Sequence, residues 1–240
     1  MARGELTRKA ILTRALSLAS EVGLEGVTIG RLATDLGLSK SGLFAHFQSK
    51  EALQLQVLDL AATRFIEIVV RPGLAAPAGE ERLASLFEHW LEWPREDALP
   101  GGCFFVAAAS ELDDRPGPLR DRLAELQRRW LAVLSETARG AVAEGQFRED
   151  LDCEQLAHDV YGAMLAYHHA SRLLRDPRSK ARARAAFTAL LKAARREGFH
   201  HPGGPEADPL RSVPAGSAAA RGDRSPRTAE DASPARDCLP

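Results

Sequence analysis

Between Leu38 and Leu53 the chain reads LSKSGLFAHFQSKEAL. Ser39, Lys40, Ser41 and Gly42 stand ahead of an aromatic–histidine–aromatic cluster, Phe44, His46 and Phe47, and Ser49-Lys50-Glu51 opens a second run. Residues of these types bind anions rather than break bonds. A serine at a helix start leaves free backbone N–H groups beside the positive end of the helix dipole, and both favour a phosphate. Lys40 can reach a phosphate, or the O6 and N7 of guanine. Gly42 removes a side chain where the helix would otherwise clash with the partner it approaches. Leu43 and Phe47 face back to the platform that holds the helix, while Phe44, Ala45 and His46 face outward. Lys50 adds a cation at the next helix start. A short helix before the Gly37-Leu38-Ser39 turn and another after it have the shape of a helix-turn-helix, whose second helix lies in the DNA major groove.

Other chemistries find less support. No Gly-rich phosphate loop follows a strand, and there is no nucleophile elbow or His-Glu-x-x-His pattern, so no enzyme is expected. Glu111–Asp114 (ELDD) and Tyr167–Ala170 (YHHA) invite a metal reading. Adjacent histidines, however, diverge by about 100° on a helix, and the acidic run leads into an ordinary Arg115-Pro116-Gly117 turn. The three cysteines, Cys103, Cys153 and Cys238, are too few and scattered for a disulfide framework or zinc cluster. Cys103, after two glycines, has the alternatives of a redox-sensing thiol or a buried, inert one, and the absence of an electropositive setting favours the second. No metal and no cofactor are expected.

The elements that must carry these residues are helical nearly throughout. The 240 residues are 45% hydrophobic, enough for a real core, and no apolar run is long enough for a membrane span. The N-terminus lacks the apolar stretch of a secretory signal, and a cytoplasmic location is expected. The net charge of −1 conceals an asymmetry: residues 1–50 carry seven Lys and Arg against four Asp and Glu, whereas residues 51–201 carry twenty against twenty-three. A polyanion contact is thereby assigned to the head. Ile11, Leu12, Ala15, Leu16, Ala19 and Val22 fall on one stripe of a helix over 6–22. Thr28 caps a second helix, with Ile29, Leu32, Ala33 and Leu36 inward, and Gly37 ends it. Ser39 caps a third that ends near Phe47. Ser49 caps a fourth, running from Lys50 to Val70, before a linker RPGLAAPAG. Further helices are expected over the amphipathic EERLASLFEHWLEW, a short GGCFFVAAASEL, 118–144 with Pro118 in first position, 153–174 and 177–197. From Pro202 the Pro-, Ala-, Gly-, Ser- and Arg-rich composition predicts a disordered tail, taken as 201–240. The fold class is all-α: an N-terminal helix-turn-helix domain (1–49), a helical body (50–200) and the tail.

The run AILTRALSLASEVGLEGVTIGRLATDLGLSKSGLFAHFQSKEALQLQVL resembles the DNA-binding head of the tetracycline-repressor (TetR) family of bacterial regulators over roughly residues 7–60. The features that carry it are Gly23-x-x-x-x-Thr28, the turn Leu36-Gly37-x-Ser39, and Gly42-Leu43-aromatic-x-His46-Phe47-x-x-Lys50 read as one recognition region. The resemblance implies phosphate contacts from Thr28, Ser39, His46 and Lys50, and base or near-base contacts from Lys40, Ser41 and Gly42. The family usually has tyrosine where this chain has Phe44, which keeps the packing and a thymine-methyl contact but loses a hydroxyl.

Beyond residue 60 the resemblance is architectural. It implies a ligand-responsive repressor that binds a pseudo-palindromic double-stranded DNA operator as a homodimer through its last two helices, with no membrane partner. The effector is unidentified, small, and apolar or amphipathic. Candidate pocket residues are Phe65, Val69, Phe87, Trp90, Phe104, Phe105, Trp130, Tyr161, Met164 and His168, although aromatic residues and methionine at helical spacing are also what a plain core contains. The alternative is a helical ligand-binding dimer whose head no longer reads DNA.

Overall fold

Helix α1 spans Arg3–Val22 and buries Ile11, Ala15, Leu16 and Ala19 on the expected stripe. This is seen in a computed structural model of the chain, in which residues 3–95 and 99–198 are described. The tail expected over 201–240 lies outside the described residues, as does the side chain of Phe44. Leu18 is also fully buried, whereas Val22 is 39% exposed. The stripe departs from expectation because α1 is held from two sides, by α4 and by α7. Gly101, in the loop before α7, donates its N–H to Ser20 Oγ at 3.0 Å. A Cβ at position 101 would fall 1.6 Å from the Ser20 carbonyl oxygen, so only glycine lets the loop come this close.

Helices α2 (Ile29–Leu36) and α3 (Lys40–Phe47) are cut by their caps. Thr28 Oγ1 accepts the Arg31 N–H at 3.2 Å. At the other end Gly37 takes φ +62°, and the paired bonds Leu38 N–H to Ala33 O and Gly37 N–H to Thr34 O close a Schellman turn. Ser39 Oγ then accepts the Gly42 N–H at 3.0 Å, and Ser49 Oγ the Ala52 N–H at 3.0 Å. Ile29, Leu32, Leu43, Phe47, Leu53 and Val57 fill the centre of this head.

Helix α4 (Lys50–Phe65) does not end at Val70 as expected. It passes into a π-helical segment, Ile66–Val70, and a further turn, α5 (Arg71–Leu74). A proline inside an α-helix loses one bond and drives its ring into the preceding carbonyls. Here Arg71 N–H reaches back five residues to Ile66 O, and the wider turn puts Pro72 at the start of α5. The expected linker is therefore helical in its first half. Gly73 is buried there, with Leu86 of the next helix filling the place a side chain would take.

The remaining helices are α6 (Glu80–Glu92), α7 (Phe104–Leu112), α8 (Pro118–Ala143), α9 (Cys153–Arg172) and α10 (Ser179–Ala194). Helix α10 is tied to α6 by stacking of Phe187 on Phe87 at 4.1 Å and by two bonds from Arg184 to Glu88. Lys180 pairs with Glu92, and Arg195 with the buried Glu80. α10 stops at Ala194, short of the expected 197, because Arg195 forms an isolated β-bridge with Phe147.

Candidate nucleic-acid interface and body cavity

Ser39, Lys40, Ser41 and Gly42 are all exposed at the N-terminus of α3, while Leu43 and Phe47 below them are buried. The helix is thus fixed by two apolar anchors and offers a small, polar leading edge. Truncating either anchor would cost about 2–5 kcal/mol. Lys40 makes no ion pair among the described residues, and its stem lies across Gly30 of α2, where a Cβ would stand 3.4 Å from Lys40 Cε. Ser39 and Ser41 hydroxyls lie 3.2 Å apart. Thr28 is exposed at the start of α2, and His46 is half-buried with its ring 6.2 Å from that of Phe47.

Lys50 is placed differently from the other cations. Its Nζ donates to the Glu25 carbonyl at 3.0 Å and pairs with the Glu25 carboxylate at 2.9 Å, and this bond holds the Glu25 carboxyl below its ordinary pKa. Buried Gln54 donates to Leu24 O at 2.8 Å. From the body, Glu111 of α7 accepts the Leu24 N–H at 2.7 Å and the Glu25 N–H at 2.6 Å. The α1–α2 turn is therefore clasped by the start of α4 and the end of α7 together. Gly23, at φ +76°, makes room, since a Cβ there would stand 2.8 Å from Glu111 Oε2. Neither Glu111 nor Gln54 stands out in the sequence as a site residue. The only signal was that Glu111 begins the acidic run.

A cavity of about 310 Å³ lies in the body. Ala62 and Phe65 of α4, Ile66 and Val70 of the π segment and Trp90 of α6 form one side. Cys103 and Phe105, five residues of α8 (Leu126, Gln127, Arg129, Trp130, Val133) and Tyr161 of α9 form the rest. Phe65 meets Trp93, Phe105 and Trp130 edge-on at centroid distances of 5.4, 5.6 and 5.0 Å, which makes a rigid aromatic wall. Tyr161 donates to Gln127 Oε1 at 2.9 Å. Burial pushes the Tyr161 hydroxyl up to about 12 and the Cys103 thiol up to about 11, so both stay neutral well into the alkaline range.

Of the ten candidate pocket residues, the structure brings five together on this cavity: Phe65, Trp90, Phe105, Trp130 and Tyr161. Val69, Phe104 and Met164 are packed in the core, Phe87 is taken up by its stack on Phe187, and none of these four lines the cavity. His168 also lies away from the cavity, near Gly102 and Arg172; desolvation first, and Arg172 second, lower its pKa. Sequence reading missed Gln127, Arg129, Leu126 and Val133. Leu126, Trp130 and Val133 recur at helical spacing, the one signal that could have found that wall. Among the described residues no group of three His, Cys, Asp or Glu converges to hold a metal ion, and no helix is long and apolar enough to cross a membrane.

Comparison with known proteins agrees with this arrangement. Residues 11–57 match the family model for bacterial regulatory proteins of the tetR family, and residues 79–187 match a tetracyclin repressor-like C-terminal domain. The chain is 30% identical over 158 residues to the HTH-type transcriptional repressor KstR2 of Mycobacterium tuberculosis, covering 63% of this chain and 72% of that protein. A 49-residue stretch is 45% identical to the class C tetracycline repressor of Escherichia coli, but that match spans only 20% of this chain and 22% of the repressor. The structure of a TetR transcriptional regulator from Chloroflexus aurantiacus J-10-FL superposes with a TM-score of 0.72 at 25% identity, covering 80% of this chain and 96% of that one. With its head, body and architecture all matched, the chain belongs to the TetR family of bacterial transcriptional regulators.

Proposed function

We propose that this chain is a ligand-responsive repressor that binds a pseudo-palindromic operator as a homodimer and releases it when a small molecule fills the cavity. The observation that carries the reading is the leading edge of α3. Four consecutive small or cationic residues, Ser39–Gly42, are exposed at the start of a helix that is anchored by the buried Leu43 and Phe47. Lys40 is the cation there without an ion pair among the described residues, and it takes either guanine or a phosphate. Ser39, Ser41, Thr28 and His46 contact the flanking backbone. Lys50 acts chiefly by bracing the α1–α2 turn through Glu25, and its phosphate contact is secondary to that.

Two copies are needed because one head buries little surface. The outer faces of α9 and α10 support such a dimer: Gly162, Leu165 and Ala166 on one, and Ala181, Ala185 and Ala189 on the other, are exposed and allow close helix approach. Two structural links run from cavity to head. Helix α4 starts beside the turn at Lys50 and continues into the π segment on the cavity wall. The chain from Cys103 and Phe105 along α7 ends at the Glu111 clasp. A ligand that prefers the head spacing unable to reach two half-sites weakens DNA binding by the same factor as DNA weakens ligand binding.

The test is fluorescence anisotropy of the full chain with DNA flanking its own coding region, over a salt titration, against scrambled DNA of equal length. Selective binding that falls on Lys40→Ala, with a salt slope smaller by about one, supports the reading. Equal, weak binding to both DNAs, followed by a random-sequence selection that enriches nothing, would leave a ligand-binding dimer without a reading head.

A further inference from the structure

The cavity's chemistry narrows what can fill it. Its walls are aromatic and aliphatic, and its inner polar groups are the Cys103 thiol and the Gln127–Tyr161 pair. Neither the thiol nor the phenol carries charge at pH 7, since both ionise only well above it and burial raises both further. Among the described residues, the one ionic residue on the lining is Arg129. Its side chain is 68% exposed and paired with Glu125, so it belongs to the rim. A carboxylate or ammonium inside would therefore lose its water without gaining a counter-charge.

The Gln127–Tyr161 bond uses one donor and one acceptor of the pair and leaves one of each. With Tyr161 donating to Gln127 Oε1, the Gln127 amide N–H groups have no partner among the described residues, and the Tyr161 oxygen keeps a lone pair. A carbonyl oxygen can accept from the amide, and a hydroxyl can serve both. The pair joins α8 to α9 on one side of the cavity, whereas the aromatic wall is built on Phe65 at the junction of α4 and the π segment. A molecule anchored at the polar pair would press its apolar end on the helix that leads to the head.

We propose that the cavity takes an uncharged, largely apolar molecule with one carbonyl or hydroxyl oxygen: either oxygen accepts from the Gln127 amide that Tyr161 holds in place, and a hydroxyl can also donate to the Tyr161 oxygen. Its 310 Å³ equals about ten water volumes, which suits a ligand of roughly ten to fifteen non-hydrogen atoms. This inference rests on the reading of the cavity as the effector site.

A matched pair of probes tests it: 4-phenyl-2-butanone and 3-phenylpropanoate have the same skeleton and size, and differ in charge. Isothermal titration of the full chain should show the ketone binding at least tenfold tighter than the carboxylate. Gln127→Leu should weaken the ketone about five- to tenfold, and Tyr161→Phe should weaken it less, because Tyr161 only orients the amide that the ketone accepts from. The proposal is overturned if the ketone gives no saturable heat or the carboxylate binds as tightly. Ketone affinity unchanged by both Gln127→Leu and Tyr161→Phe overturns it too. Anisotropy on operator DNA separates this from the regulator reading. A ketone that binds as expected without releasing DNA leaves the ligand class standing and removes the effector role. Release by the carboxylate alone does the reverse.

Discussion

Glu111 accepts the backbone N–H of Leu24 at 2.7 Å, across 87 positions of sequence, and its other oxygen takes the N–H of Glu25. One side chain of the body thus satisfies two backbone donors in the turn that sets α2. Glu111→Ala leaves both donors to water and removes a charge-assisted bond, for an expected loss of about 1–3 kcal/mol. Glu111→Gln keeps one good acceptor and should lose less. Urea denaturation gives the order. The same pair of variants should also need a different effector concentration to release DNA. If release is unaltered while stability falls, the clasp is structural only, and α4 carries the coupling by itself.

Lys40 and Lys50 look alike in the sequence and should behave differently. Lys40→Ala should weaken DNA binding without altering the melting temperature, because its amine has no protein partner among the described residues. Lys50→Ala should also loosen the α1–α2 turn. A double-mutant cycle with Glu25→Ala should return a coupling of about 0.2–1 kcal/mol, as for an exposed pair. Zero coupling would return Lys50 to the phosphate role that the family resemblance implies.

These two cases mark what was legible. The caps at Thr28, Gly37, Ser39 and Ser49 are satisfied within five residues of chain, so residue type at fixed spacing was enough to place them. The stripes that bury Ile11, Leu32 and Leu43 follow from helical period alone. The Glu111 clasp, the Lys50–Glu25 pair and the Gln127–Tyr161 bond join elements 25 to 87 positions apart, and no local pattern encodes such a meeting. For the same reason Phe87 and Phe65 read alike as aromatic residues on helices. Only the packing shows that one is stacked on Phe187 and the other lines a cavity. Pro72 misled in the opposite direction: a local rule ended the helix, and a π turn carried it through.

Alkali should destabilise the fold through the cavity. Cys103 has its thiol raised by burial from 9.0 to about 11, and Tyr161 its hydroxyl from 10.0 to about 12. Both folded groups hold their protons where the unfolded groups have lost them. The resulting stability is full below pH 9 and is lost as pH rises from about 9 to 11 for Cys103, and from about 10 to 12 for Tyr161. The slope for each is at most about 1.4 kcal/mol per pH unit. Urea denaturation at pH 8 and 10.5 should show this loss reduced in Cys103→Ala. The thiol should resist iodoacetamide in the folded protein at pH 8 and react once unfolded. Rapid labelling of the native protein would overturn this account of Cys103.

Two glycines to alanine should move stability in opposite directions. Gly101 lies on the α1 backbone, and a methyl there would collide with the Ser20 carbonyl and with the Glu21 nitrogen, 2.5 Å away. Backbone on both sides leaves no flexible atom to yield, so Gly101→Ala must lift the loop off α1 and break its bond to Ser20 Oγ. An expected loss of about 2 kcal/mol or more follows, as for overpacking elsewhere. Gly140 sits inside α8 with nothing within 4 Å of a Cβ. Gly140→Ala adds helix propensity and reduces the freedom of the unfolded chain, for an expected gain of about 0.4–1 kcal/mol. Thermal melts of the two variants beside the parent are sufficient. A stable Gly101→Ala protein would mean that the loop before α7 does not rest on α1, and the route from cavity to head through α7 would lose its upper contact.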